Sequence, residues 1–136
     1  MTNTFLYLLE EFGKIIHLPL RVDQKGACSL LLPEEFLVQL QPDNAEQNLF
    51  FFAPIVPLPP GKYREEVLLE GLKTNASQDP LFGTVAYLEK SNELVLYQSY
   101  PLNMLDGERL ANLFAGFVEM GMQWKKAILA GKTHPQ

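Results

Sequence analysis

The order of helical and strand-like segments in this 136-residue chain predicts an α+β fold, α-β-β-β-α-β-β-α, with helices packed on a twisted antiparallel sheet. Three observations carry that expectation. Apolar residues at helical spacing open and close the chain. The strand-like runs between them are joined by a few polar residues each, too few for the crossover helix that a parallel pair requires. A further helical segment separates three such runs from two more, which places helices against a sheet.

Residues 4–17 read as an amphipathic helix. Phe5, Leu8, Leu9, Phe12 and Ile16 fall on one stripe, Asn3 or Thr4 can cap it, and Pro19 stops it. Leu6, Tyr7 and Ile15 lie largely off that stripe, so the helix is either buried on two sides or offers a face to a partner. Three strands follow. Residues 27–32 come after the turn signal Asp23-Gln24-Lys25-Gly26, residues 36–40 after Pro33-Glu34-Glu35, and residues 49–56 after the polar stretch 42–48. Pro54 and Pro57 sit where the third strand should end or lie at an edge.

After Pro59-Pro60-Gly61, residues 62–75 read as a helix ending at Asn75, with Asp79-Pro80 just beyond. Val67, Leu68 and Leu69 are successive, each turned by about 100 degrees, so its apolar surface covers more than half the circumference. Such a helix normally has neighbours on two sides. Residues 82–89 and 93–101 form a hairpin through Lys90-Ser91-Asn92. In its second strand Leu94 and Leu96 oppose Val95 and Tyr97, so both faces ask for cover. Residues 107–129 are the longest helix, N-capped by Asp106, with Leu110, Leu113, Phe114, Phe117, Val118, Trp124 and Ile128 as its stripe. Gly131 ends it, and residues 132–136 read as a loose tail.

The length fits a single domain over residues 1–136, ordered over about 4–130. With 47% hydrophobic residues and 20% charged, disorder is disfavoured. Cys28 is the only cysteine, which excludes a disulfide scaffold. No apolar run approaches the roughly 20 residues of a membrane span, and the start, with Glu10 and Glu11 and no basic region, does not read as a signal peptide. A cytoplasmic protein is expected. The net charge of −5, without a basic stripe, argues against nucleic acid or an anionic membrane surface as partner.

Catalytic candidates are thin. The two histidines, His17 and His134, stand at a helix end and in the tail, and with Cys28 they do not match zinc-ligand spacing. Cys28 reads as a buried strand residue. The carboxylate pairs Glu10/Glu11, Glu34/Glu35 and Glu65/Glu66 read as solvated. Gly107, Gly116 and Gly121 form no phosphate loop. Met104, Met120 and Met122 with Phe114 and Phe117 suggest either an adaptable groove or core packing, and their helical spacing favours the core. No enzymatic activity, cofactor or metal is expected; the positive signal is surplus apolar surface.

Several pieces also fall in the order of a known family. They are Phe12-Gly13 near the end of the first helix, the strand Ala27-Cys28-Ser29-Leu30, and the run Leu68-Leu69-Glu70-Gly71-Leu72-Lys73-Thr74-Asn75-Ala76. After them come a Gly83-containing strand, Leu94-Val95-Leu96, Pro101-Leu102, and a long final helix with Phe117 and Trp124. In this order, from Phe5 to Leu129, the chain resembles the class I chaperones of bacterial type III secretion, the Tir-chaperone-like family. The resemblance implies a homodimeric, non-enzymatic chaperone of the bacterial cytoplasm. It would hold the N-terminal chaperone-binding segment of a secreted effector in extended form, with the secretion-apparatus ATPase as a further candidate partner. It places dimer contacts at Leu68, Leu69, Leu72, Leu94 and Leu96. Effector contacts fall on the first helix and first three strands, including Leu6, Leu9, Leu30, Leu32, Phe50 and Phe52. The Pro57–Pro60 cluster departs from the family in detail. The alternatives are a small ligand-binding or enzymatic α+β domain, and a dimeric adaptor for folded proteins.

Overall fold

A computed structural model describes residues 4–77 and 81–135. Helix α1 (Thr4–Ile16) is followed by β1 (Cys28–Leu32), β2 (Phe36–Pro42) and β3 (Asn48–Pro57). Then come α2 (Lys62–Ser77), β4 (Thr84–Leu88), β5 (Glu93–Pro101) and α3 (Gly107–Leu129). The expected order is present in full. The five strands form one antiparallel sheet in the order β1-β2-β3-β5-β4. The expected cap at Asn3 and the stop at Asp79-Pro80 lie outside the described residues.

Residues directly opposite one another in an antiparallel pair share a face, and that rule sorts the sheet. Cys28 faces Leu40, Leu30 faces Val38, Leu40 faces Phe51, Leu49 faces Tyr100, and Val85 and Ala53 face Leu96. All of these are buried. This inner face carries α3. Phe51 of β3 makes edge-on ring contacts with Tyr100, Phe114 and Phe117 at 5.1, 6.4 and 5.3 Å between centroids, and Phe12 of α1 meets Phe114 at 5.2 Å. Contacts of that geometry are worth about 0.5–1.5 kcal/mol each beyond the burial itself. Helix α3 comes so close to the sheet that a Cβ on Gly121 would sit 2.3 Å from the Phe36 ring. At its N-terminus Asp106 accepts the Arg109 N–H at 2.8 Å, as its place before the apolar stripe predicts.

The turns are built from side chains that stand in for backbone partners. Asp23 accepts from the N–H groups of Lys25 and Ala27, at 2.8 and 3.0 Å. Asp43 accepts from the N–H of Gln47 at 2.8 Å and from the Asn48 side-chain amide at 3.0 Å. Between β1 and β2, Glu34 and Glu35 take positive φ values of 64° and 58°. The Lys125 ammonium of α3 donates to the Glu34 carbonyl at 2.7 Å and holds that turn against the helix.

Two expectations need correction. Helix α2 continues through Ser77, so Asn75 lies inside it. The tail is not loose: residues 133–135 are half-buried, and His134 lies against Glu70 of α2. As expected from its prolines, β3 ends at Pro57, and Pro54 stands at a local edge although the strand lies between β2 and β5. Its pairing with β2 covers Leu49–Phe52 only, so a missing N–H at Pro54 leaves no ladder bond unmade on that side. The register with β5 then shifts between Pro54 and Val56.

Candidate functional site

Among the described residues, apolar surfaces stand open on both sides of the sheet. The first is the outer face of α1. Phe5, Leu8, Leu9 and Phe12 are buried, and Leu6, Tyr7 and Ile15 point outward, with Leu6 at 46% exposure. Of the two expectations for this helix, the exposed face is the one observed. A groove of about 680 Å³ runs between α1 and the segment leading to β1; Leu6, Leu9, Leu18, Leu20 and Val22 supply its apolar lining, and Glu10, Lys14 and Arg21 its charged members, with His17 beside them.

The second surface is the outer face of the sheet. Leu31 faces Leu37, Gln41 faces Phe50, Phe52 faces both Gln39 and Tyr97, and Phe50 also faces Ser99. Leu31, Leu37, Phe50 and Tyr97 are exposed, Leu31 at 72%, and Phe52 is half-buried. Apart from Glu93 at the end of β5, no outward position on the five strands is charged. An exposed sheet face without charges, in a chain with 27 acidic and basic residues (11 plus 16), is the kind of surface that marks an interaction site.

The two edges of the sheet differ. At β4, the Asn75 side chain accepts the Val85 N–H at 3.0 Å and donates to the Val85 carbonyl at 2.8 Å, taking the place of a neighbouring strand. Arg64 adds a bond to the Tyr87 hydroxyl at 2.6 Å and lies 4.9 Å over its ring. Strand β1, the other edge, pairs with β2 on one side and with no strand on the other. An unpaired edge is a template for an added strand.

On α2, Val67 is buried, Leu68 is half-buried against the core, and Leu69 and Leu72 are exposed, Leu72 at 66%. Among the described residues, the apolar cover that this helix asks for on its second side is missing.

The expected site residues therefore separate. Leu6, Phe50, Leu69 and Leu72 are on open surfaces, and Phe52 shares the outer face. Leu9 and Leu30, expected among surface contacts, are core residues at 3% and 4% exposure, and Leu32 packs half-buried against the same core. Leu94 and Leu96, expected in a dimer contact, are fully buried beneath the sheet. The reason is strand parity: both share the inner face with Ala53, Val56 and Val85. Leu31, Leu37 and Tyr97 are the outer-face residues not singled out from sequence. In the runs Leu30-Leu31-Leu32 and Phe36-Leu37-Val38 every residue is apolar, so alternation leaves no contrast; cross-strand parity with Phe50 and Phe52 was the signal available.

Cys28 is buried, and burial pushes its thiol pKa up, away from the reactive thiolate. His17 is exposed at the end of α1. Among the described residues no three His, Cys, Asp or Glu side chains gather as metal ligands would, and no helix is long and apolar enough to cross a membrane. Met120 and Met122 pack on the core, and Met104 is exposed.

The profile of the Tir chaperone protein (CesT) family matches residues 7–125. The fold is similar to that of a chain in the HopA1–SchA chaperone–effector complex, at 24% identity and TM-score 0.74, covering 91% of this chain and 94% of that one. A chain of the ExsC–ExsE complex is similar at 23% identity and TM-score 0.75, with 93% and 96% covered. A chain of the complex of the Yersinia pestis type III secretion chaperone SycH with a stable fragment of YscM2 follows at 23% identity and TM-score 0.66, with 85% and 94% covered. No curated protein matches the chain.

Proposed function

The chain belongs to the Tir chaperone protein (CesT) family, and on that premise we propose that it is a non-enzymatic, cytoplasmic secretion chaperone that holds the N-terminal segment of a type III secreted effector in extended form. The observation that carries this reading is the pairing of two open apolar surfaces with the unpaired edge of β1 between them. A strand added at β1 gains main-chain hydrogen bonds, and its side chains alternate between the two faces of the sheet. One set would meet Leu31 and Leu37, the other the α1 side. That arrangement suits an extended segment better than a folded domain. The relatives solved as chaperone–effector complexes support the same reading.

No energy source is needed. A partner that binds the extended segment and not its collapsed form shifts that equilibrium by mass action, by about 2.7 kcal/mol when free chaperone is near 100 times Kd.

The working form is a two-fold dimer in which the Leu69 and Leu72 stripes of two α2 helices cover one another. Leu68 flanks that stripe, half-buried against the core. A specific interface of this kind buries on the order of 1,000 Å² or more in total. The experiment is purification of the protein from its native cell and identification of what comes with it. A secreted protein held through its N-terminal segment is expected; a folded partner held through a globular domain would put the adaptor reading in its place.

A further inference from the structure

We propose that the C-terminal segment 131–135 is a strap that fixes how α2 sits on the molecule. Gly131 takes φ 81°, the Gly131 N–H bonds the Ile128 carbonyl and the Lys132 N–H bonds the Ala127 carbonyl, each at 2.9 Å. This is the paired closure that turns a chain back at the end of a helix. Two side chains of α2 receive the returning segment. The Tyr63 hydroxyl bonds the Ile128 carbonyl at 3.3 Å and the Lys132 carbonyl, and Glu70 Oε1 lies 3.7 Å from His134 Nδ1.

Tyr63 and Glu70 are seven residues apart, within about 20° of one another around the helix at about 100° per residue. On the same scale Val67 and Gly71, which face the core and Val85, lie about 40–80° round from Tyr63, and Leu69 and Leu72 lie about 180–240° round. The strap and the leucine stripe thus occupy opposite flanks of α2. The bonds from Arg64 to Tyr87 and from Asn75 to Val85 reach toward β4. The tail supplies the lateral stop on the flank away from the stripe. Its contacts are polar and half-exposed, so it opens at lower cost than the aromatic core.

Hydrogen exchange read by mass spectrometry tests this on two variants, a chain ending at Gly131 and the full-length double substitution Tyr63→Phe, His134→Ala. Loss of the Tyr63 hydrogen bond to the tail, a factor of about five, together with the Glu70–His134 contact predicts exchange in residues 62–77 about fivefold or more faster, with residues 107–124 unchanged. Should the shortened chain fail to fold, the double substitution decides. Unchanged protection of 62–77, or equal loosening of the sheet and α3, overturns the proposal. Neither result depends on what the protein binds.

Discussion

Asn75 does the work of a strand with one side chain. Its amide closes both backbone groups of Val85 at the outer edge of β4. Asn75→Ala leaves that N–H and carbonyl to water and is expected to cost roughly 1–3 kcal/mol in chemical unfolding. It should also raise the tendency to self-associate, because the edge is uncovered. Asp43 makes a prediction about pH. Its bond from the Asn48 side chain, then that from the Gln47 N–H, hold its pKa below the ordinary 3.8. A group with a lowered folded pKa contributes stability above its unfolded pKa and loses it as pH falls through the folded one. The contribution of Asp43 is therefore present above about pH 4 and fades in more acid solution. Asp43→Asn should flatten that part of the stability profile and leave neutral pH less stable, with the difference between the two proteins shrinking on acidification.

At the scale of elements, α1 divides its labour between two faces, and substitution tests the division. Leu6→Asp and Leu31→Asp alter exposed positions and should leave melting within a few degrees while weakening partner binding at least tenfold. Leu9→Asp places a carboxylate in the core and should unfold the protein. Most of the fold was legible because its signals are local. The stripe of α3, the Asp106 cap and the turn residues at 23–26 and 42–48 each carry their own physical reason. The tail was misread because its contacts join Tyr63 with Lys132 and Glu70 with His134, pairs that no local pattern links. The site was legible only in part, and the failure has one cause. A run such as Leu30-Leu31-Leu32 announces a strand but not which residue faces the core; that depends on β2 and β3 opposite it. The same ambiguity sent Leu94 and Leu96 to an expected interface when they fill the interior. On α2 the surplus of leucines was readable, and the structure shows where the surplus is uncovered.

For the whole molecule, the unpartnered stripe on α2 and the paired surfaces around β1 are separable. Leu72→Glu charges the stripe without touching the core and should turn the proposed dimer into a folded monomer in a sedimentation or light-scattering measurement. A folded Leu72→Glu dimer would move the interface elsewhere. Segment binding around β1 is a distinct property, and calorimetry reads it directly. The purified protein is titrated with the unfolded N-terminal segment of its co-purified partner at several temperatures and salt concentrations. Stoichiometric binding with a distinctly negative heat-capacity change and weak dependence on salt is the predicted result, because apolar surface is buried and apolar contacts outnumber charge pairs at the site. A protein that ignores this segment and binds the partner's folded domain instead would contradict the account.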